Sequence, residues 1–151
     1  MLTRKSILAL TLLINLLVPA AAVPQESGTQ QPSLYNRLGG YDAIAAITDD
    51  VFGHAVADPH LARFFKGHSV DTQKRQRQNA VTFICAAAGG PCVYIGRDMK
   101  TTHTGLGITE ADWAVLMKYL ASTLDKFKVQ EREKSELLSL IAGLKGDIVG
   151  R

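Results

Sequence analysis

Residues 99–109 read MKTTHTGLGIT, and this stretch places a single histidine, His103, at the end of a short helical turn. Gly105 and Gly107 then release the chain toward Thr109, where the next predicted helix begins. A neutral imidazole held at the end of such a turn can give one ring nitrogen to a metal ion. The function of the chain therefore depends on what the remaining residues build around His103.

Helical periodicity runs through residues 33–151, and no stretch shows the alternation that is typical of a strand. The spacing of apolar residues predicts a short helix over 33–38 and a longer one over about 41–56. Residues 60–67 are predicted to form one turn of helix followed by a loop. The sequence therefore indicates an all-α domain.

The second half of this domain carries clear helix boundaries. Asp71 is the expected N-cap of a long helix, which the Gly-Gly-Pro at 89–91 ends. Thr109 and Asp112 form a start that resembles a capping box, and one final helix is expected to extend to Ile148. Each helix has a predicted apolar face: Gln76, Ala80, Phe83, Ile84 and Ala87; then Trp113, Leu116, Met117, Leu120 and Leu124; then Leu137, Leu140, Ile141, Leu144 and Ile148.

The first 22 residues have the composition of a secretory leader. Arg4 and Lys5 supply a basic start, residues 7–18 form a mostly apolar run, and PAAA at 19–22 offers a cleavage site. The apolar run is short for a bilayer span, although an uncleaved anchor is the alternative. We expect export to a bacterial periplasm, with no stable membrane insertion once the leader is removed.

Charge and length limit what the remainder can be. Without the leader, 15 basic and 14 acidic residues remain, so the chain is nearly neutral, and nucleic-acid binding loses its compositional support. Residues 23–32 are predicted to be a flexible linker, since they hold little that could be buried. Residues 33–151 are long enough for one domain with a single core.

The only two cysteines, Cys85 and Cys92, flank the sharp turn at 89–91. An oxidising compartment favours a disulfide between them, while two free thiols are the alternative. The chain contains no C-x-x-C-H motif, so covalent attachment of a c-type haem is not indicated.

Gln76 is the polar member of an otherwise apolar face. An amide buried there without a partner costs about 1–3 kcal/mol, so it either faces a polar ligand or lies half exposed on a rotated helix. Periodicity leaves both orientations open. The neighbouring basic run at 73–78 is typical of a solvated face, although it could also reach the carboxylates of a ligand lying along the helix.

His103 has several possible roles. A lone histidine is most often a cap or a packed core residue. Met99 lies one turn before it, so the two could form a soft-metal site for copper together with Cys92. In an apolar pocket, His103 could instead hold haem iron through one axial bond.

Five short blocks occur in order along the chain: LYxxLGG at 34–40, ADPxLxxFF at 57–65, GGP at 89–91, YxGRxMK at 94–100 and HxGLGIT at 103–109. Together they resemble the landmarks of the group 1 truncated haemoglobins, and the resemblance extends from about residue 33 to 149. It implies a two-over-two helical sandwich around a non-covalently bound haem b, which binds O₂, NO or CO.

The resemblance assigns residues to this pocket. It implies that His103 is the proximal iron ligand, that Phe65 packs on the haem and that Gln76 faces a bound ligand on the distal side. Phe52 and Ala80 stand where many members have a distal tyrosine and a second glutamine, so weaker ligand retention and quicker autoxidation are expected. The other implied haem contacts are Phe83, Tyr94, Met99, Leu106, Ile108 and Trp113.

The chain departs from the family pattern between Phe65 and Gly89, where it is about three residues longer. The extra residues lie near 68–72, and they could bring His68 over the iron as a sixth ligand. An enzymatic alternative, NO dioxygenation or peroxidase-like turnover, would need an electron donor that the sequence does not identify. Copper binding remains the alternative from a different class.

Overall fold

The computed structural model describes residues 31–151, so the expected leader (1–22) and nearly all of the expected linker (23–32) lie outside the described residues. Within 31–151 the chain is helical and forms no strand, as predicted. None of the helices in this part is long and apolar enough to cross a membrane. The helices are α1 (Leu34–Arg37), α2 (Gly40–Ala57), α3 (Val70–Ala87), α4 (Met99–His103), α5 (Glu110–Lys126), α6 (Glu131–Ala142) and α7 (Lys145–Ile148), with a 3₁₀ turn at Ala62–Phe64.

The hydrophobic core lies where α2 packs against α3 on one side and against α5 on the other. Helices α1 and α6 close it at the edge. Because burial of apolar surface is the main force that holds helices together, these contacts set the arrangement of the four longer helices. The most deeply buried apolar side chains are Ile44, Val81, Cys85, Leu124 and Leu137.

The start of α3 differs from the prediction. Its N-cap is Ser69, whose Oγ accepts a hydrogen bond from the backbone N–H of Thr72 at 3.2 Å. The prediction that Asp71 caps this helix is wrong. Asp71 lies in the first turn instead, where its negative charge is favoured by the helix dipole. Serine and aspartate are both good N-caps, so local sequence did not distinguish the two positions.

The start of α5 agrees with the prediction. The Thr109 hydroxyl accepts a bond from the backbone N–H of Asp112 at 3.2 Å, and the Asp112 carboxylate accepts one from the Thr109 N–H at 2.8 Å. This reciprocal pair is a complete capping box. It places the beginning of α5 directly after the loop that follows His103.

Periodicity predicts a single final helix, and this prediction is wrong because the chain forms two helices there. Helix α6 ends at Ala142 and α7 begins at Lys145. Gly143 lies at the break, where its low helix propensity weakens the ladder. The break lets α7 pack against α4, and of the predicted face only Leu137 and Ile148 are buried.

The face of α3 that packs into the core is also displaced from the predicted one. Val81 and Cys85 are fully buried, whereas Ala87 is exposed. The rest of the predicted face is half-buried: Gln76, Ala80, Phe83 and Ile84. Ile84 still packs against the core, whereas Gln76, Ala80 and Phe83 form a second side of α3 that lies outside the core cluster.

A disulfide joins Cys85, near the end of α3, to Cys92 in the following loop, with a Cα–Cα distance of 5.8 Å. The intervening turn is also held by a backbone hydrogen bond of 2.8 Å from Gly90 N–H to the Cys85 carbonyl. The Gly90 Cα lies so close to the Tyr35 ring that a Cβ would come within 2.5 Å of a ring carbon. These constraints set the direction in which the loop leaves α3 toward α4.

Candidate functional site

His103 is the last residue of α4, and its ring is fixed by a local hydrogen bond. Its Nδ1 lies 2.7 Å from the carbonyl oxygen of Met99, one turn earlier. Because a carbonyl can only accept, Nδ1 carries the proton and donates it, which leaves a lone pair on Nε2. Nε2 makes no hydrogen bond to any residue within 31–151. This is the tautomer and orientation that a metal-binding histidine adopts.

The short helix that carries His103 is held at both ends. Asp98 caps its start, since its carboxylate accepts the Thr101 backbone N–H at 2.8 Å. After His103, Gly105 and Gly107 adopt left-handed φ angles of +84° and +63°, which favour glycine strongly. The two predicted glycine breaks thus fold the chain back sharply after the histidine.

The C-terminal segment supports this loop from the other side. Helix α7 packs against α4, and the backbone N–H of Gly150 donates to the Ile108 carbonyl at 2.9 Å. Ile108 is half-buried and Leu106 is 44% exposed. The predicted contact residues on this loop therefore line an open edge rather than the core.

The loop after the disulfide brings Tyr94 against α3. Its ring meets Phe83 edge-on, with centroids 5.3 Å apart, and its hydroxyl donates to the Arg97 carbonyl at 2.6 Å. Gly96 leaves room for the tyrosine ring, which a Cβ at that position would overlap. The structure thus brings together Phe83 and Tyr94, two of the predicted contact residues.

A second group of predicted residues lines an open cavity of about 700 Å³ between α2 and α3. Its walls include Phe52, Phe65 and Gln76. The rings of Phe52 and Phe65 meet edge-to-face at 5.9 Å. The structure thus brings Phe52, Phe65 and Gln76 to one cavity, whereas Ala80 and His103 are not among the residues that line it.

The rim of the cavity is charged. Arg77 on α3 binds both carboxylate oxygens of Asp49 on α2, at 2.7 and 2.8 Å. The hydrogen bond from Arg77 lowers the pKa of Asp49, and the same bond raises the pKa of Arg77. Lys74 also lines the cavity. Part of the basic run thus bridges two helices, while Lys74 lies where it could meet an anionic group of a ligand.

Gln76 has a partner that sequence reasoning did not identify. Its side-chain oxygen Oε1 lies 3.2 Å from Nδ1 of His68, in the segment between the 3₁₀ turn and α3. Both residues are half-buried. Sequence reasoning singled out each residue, but their pairing depends on how the segment between the 3₁₀ turn and α3 folds back on that helix.

An ion pair between Arg63 and Asp112 was also not predicted. Nη2 of Arg63 lies 2.6 Å from Oδ2 of Asp112, which is 3% exposed. Burial alone would raise the pKa of Asp112, but hydrogen bonds from Thr109 and Arg63 hold it below its ordinary value. Both residues lie near predicted landmarks, yet nothing in the local sequence connects them.

The residues present fit a haem group. Phenylalanine is usually buried, yet Phe52, Phe65 and Phe83 are all half-exposed around the second side of α3. Ala80, Tyr94 and Met99 are half-buried as well, and Trp113 alone of the predicted contacts is buried. Apolar surface of this kind can cover a flat apolar ring, and His103 offers the one nitrogen lone pair that its iron needs.

The same residues argue against the copper site. The sulfur of Cys92 is bonded to Cys85, so it offers no thiolate. Within residues 31–151, no cluster of three or more His, Cys, Asp or Glu side chains could hold a metal ion. Met99 and His103 therefore lack the third ligand that the copper interpretation required.

Residues 33–149 match the model of the family described as bacterial-like globin. Among curated proteins, the group 1 truncated haemoglobin GlbN of Mycolicibacterium paratuberculosis is 34% identical over 116 residues. That alignment covers 77% of this chain and 83% of the relative.

Solved structures show the same likeness. The Fe(III) form of the truncated haemoglobin from Tetrahymena pyriformis is 26% identical, with a TM-score of 0.72 over 80% of this chain and 100% of that one. A Synechococcus 2/2 haemoglobin in the cyanomet state, with covalently attached haem, matches the same shares of the two chains at 25% identity and a TM-score of 0.72. The predicted two-over-two helical sandwich is therefore confirmed.

Proposed function

Because this chain belongs to the bacterial-like globin family, as a group 1 truncated haemoglobin that binds haem, we propose that it binds O₂ reversibly at an iron held by His103. The hydrogen bond from His103 Nδ1 to the Met99 carbonyl carries this proposal. It holds the proton on Nδ1 and leaves the lone pair of Nε2 available to the iron. NO and CO are expected to bind at the same position.

Haem, when bound, supplies an iron with one coordination position open to a diatomic ligand. The chain's own residues would hold it. Phe65 and Phe52 form one apolar wall and Phe83 with Tyr94 another, while Ala80, Leu106, Ile108 and Trp113 complete the contacts that we assign. Lys74 on the cavity rim is placed to pair with a haem carboxylate.

We further propose that the group is haem b, held without a covalent bond. The two cysteines are joined to each other, and the sequence has no C-x-x-C-H motif. The Synechococcus neighbour, which carries covalently attached haem, shows why this needs a separate test. Extraction with acidified organic solvent should move all of the haem colour away from the denatured chain, whereas colour that stays with the chain would contradict non-covalent binding.

On the distal side, Gln76 is the predicted hydrogen-bond donor to a bound ligand. Phe52 and Ala80 have no side-chain donors, so they cannot supplement it. A neutral hydrogen bond contributes about 1 kcal/mol, or roughly fivefold in a dissociation rate. We therefore expect faster O₂ release here than in a pocket with several such donors.

The protein is proposed to work in an oxidising compartment after export. The disulfide between Cys85 and Cys92 supports this, because reducing compartments keep such pairs open. The basic and apolar composition of the first 22 residues supports it independently. Fractionation of cells that express the full chain, followed by mass determination of the product, would test both export and cleavage.

Replacement of the proximal histidine tests the central proposal. His103→Gly should lose the Soret spectrum of a histidine-ligated haem, and added imidazole should restore it by filling the vacated position. The control is His54→Ala, because His54 is an exposed histidine on α2. Alanine is used there since a glycine within the helix would weaken α2. A His103→Gly protein with an unchanged spectrum would show that another residue holds the iron.

A further inference from the structure

His68 is held in place by three hydrogen bonds. Its backbone N–H donates to the Phe65 carbonyl at 3.1 Å, and its own carbonyl accepts the side-chain amide of Gln73 at 3.2 Å. The third bond joins its ring Nδ1 to Oε1 of Gln76 at 3.2 Å. Because two of these bonds already hold the backbone of His68, less conformational entropy is lost when its ring makes the third bond.

The third bond has a defined direction. Oε1 of Gln76 can only accept, so Nδ1 of His68 carries the proton and donates it. The amide NH₂ of Gln76 is then left on the other side of the carboxamide. Gln76 lines the same cavity as Phe52 and Phe65, so its NH₂ group is one of the donors available there.

We propose that His68 is a positioning residue that orients the Gln76 amide so that its NH₂ group serves as the ligand's hydrogen-bond donor. This rests on the proposed function, in which Gln76 faces the bound ligand. The final torsion of a glutamine has a broad, roughly two-fold energy profile, so an unpartnered amide can present either its oxygen or its nitrogen. His68, as the tautomer that carries its proton on Nδ1, removes that ambiguity by engaging the oxygen.

The orientation matters because Phe52 and Ala80 offer no second donor. If the Gln76 oxygen turned toward a ligand that carries partial negative charge, the contact would be repulsive instead of favourable. The segment that leads into α3 thus acquires a role. It supplies the side chain that sets the polarity of the distal pocket.

The test uses the haem-loaded full chain, three single variants, one control variant and the double variant Gln76→Leu/His68→Phe. Gln76→Leu removes the donor, His68→Phe keeps a ring but removes Nδ1–H, and His68→Asn keeps an N–H close to the position of Nδ1. His60→Phe is the matched control, since His60 is an exposed histidine in the same segment. Thermal unfolding of each variant, monitored by circular dichroism, verifies that the variant is folded.

The first readout is the C–O stretching band of the reduced CO complex in the infrared. A nearby donor lowers this frequency, so Gln76→Leu should raise it. His68→Phe should move the band toward the Gln76→Leu position or split it in two. His68→Asn should restore a single band near that of the unchanged protein, and His60→Phe should leave it unaltered.

The second readout is the O₂ dissociation rate from stopped-flow mixing. Gln76→Leu should raise it roughly fivefold, and His68→Phe by a smaller factor. The double variant should match Gln76→Leu alone, because His68 acts only through Gln76. Additive effects in the double variant would overturn the positioning role.

Two outcomes separate this inference from the proposed function. If Gln76→Leu changes both readouts while His68→Phe changes neither, His68 does not position Gln76 and the haem-binding function stands. If Gln76→Leu changes neither readout while His103→Gly still loses the Soret spectrum of a histidine-ligated haem, the distal assignment of Gln76 fails and the haem-binding function stands. A six-coordinate reduced protein that becomes five-coordinate in His68→Phe would show that His68 binds iron, which also overturns the inference.

Discussion

Arg63 and Asp112 connect the segment between α2 and α3 to the first turn of α5, with 2.6 Å between Nη2 and Oδ2. The same carboxylate oxygen accepts the backbone N–H and the hydroxyl of Thr109, at 2.8 and 2.6 Å. One buried carboxylate therefore completes a helix cap and an ion pair at once. It joins the loop that follows His103 to the segment that leads to Phe65.

Asp112→Asn should destabilise the fold by about 1–2 kcal/mol at neutral pH, because it weakens the capping box and leaves Arg63 without its anion. Urea unfolding measures the change. Asp71→Asn, in the first turn of α3, is the matched control, since no side-chain hydrogen bond of Asp71 is seen in residues 31–151. Equal losses in the two variants would contradict a special role for Asp112.

Acid should remove the contribution of Asp112. Its pKa is lowered in the folded state, so the stabilisation is present above the ordinary carboxyl pKa and is lost as pH falls through the lower, folded-state value. The difference in stability between the unchanged protein and Asp112→Asn should therefore shrink in strong acid. Unfolding measured from pH 7 downward would show this, and a difference that grows with acid would contradict it.

Reduction of the Cys85–Cys92 disulfide should lower stability by roughly 2–3 kcal/mol, the value expected when a short loop is released in the unfolded chain. Denaturant unfolding with and without dithiothreitol measures the loss. The variant with both cysteines changed to serine should start from the lower stability and should not respond to the reductant. A response in that variant would show that the reductant acts elsewhere.

Alanine at Gly105 or Gly107 should destabilise the loop after His103 by about 1–2 kcal/mol each, since both residues have left-handed φ angles. A Cβ at either position meets no atom within 4 Å, so the expected loss is conformational and not steric. Gly146→Ala in α7, which has equal space and an ordinary φ, is the control and should be neutral or slightly stabilising. Thermal unfolding compares the three variants.

Removal of haem should loosen the protein around α3 and α4 more than in the core. The half-exposed rings of Phe52, Phe65 and Phe83 would lose the apolar surface that we assign to them, and a ligand that binds only the folded state stabilises it by mass action. Hydrogen exchange of the haem-free and haem-loaded forms should differ most at α3 and α4. Residues such as Ile44 and Leu124 should stay protected in both forms.

Much of the helical layout follows from short-range signals. The Thr109–Asp112 box, the turn at 89–91 and the two glycines after His103 each act within a few residues, so their effects are visible in the sequence. The N-cap of α3 and the break at Gly143 were misjudged. In both places local propensity offered two similar choices.

The order of the five sequence blocks was enough to identify a globin, and the proximal role of the histidine in the last block stays a prediction. They could not show that Val81 and Cys85, rather than Gln76 and Phe83, enter the core, because the rotation of a helix depends on what the whole fold buries. The pairs His68–Gln76 and Arg63–Asp112 arise only in the tertiary structure. Hydrogen bonds between side chains from different elements require backbone positions that no local pattern specifies.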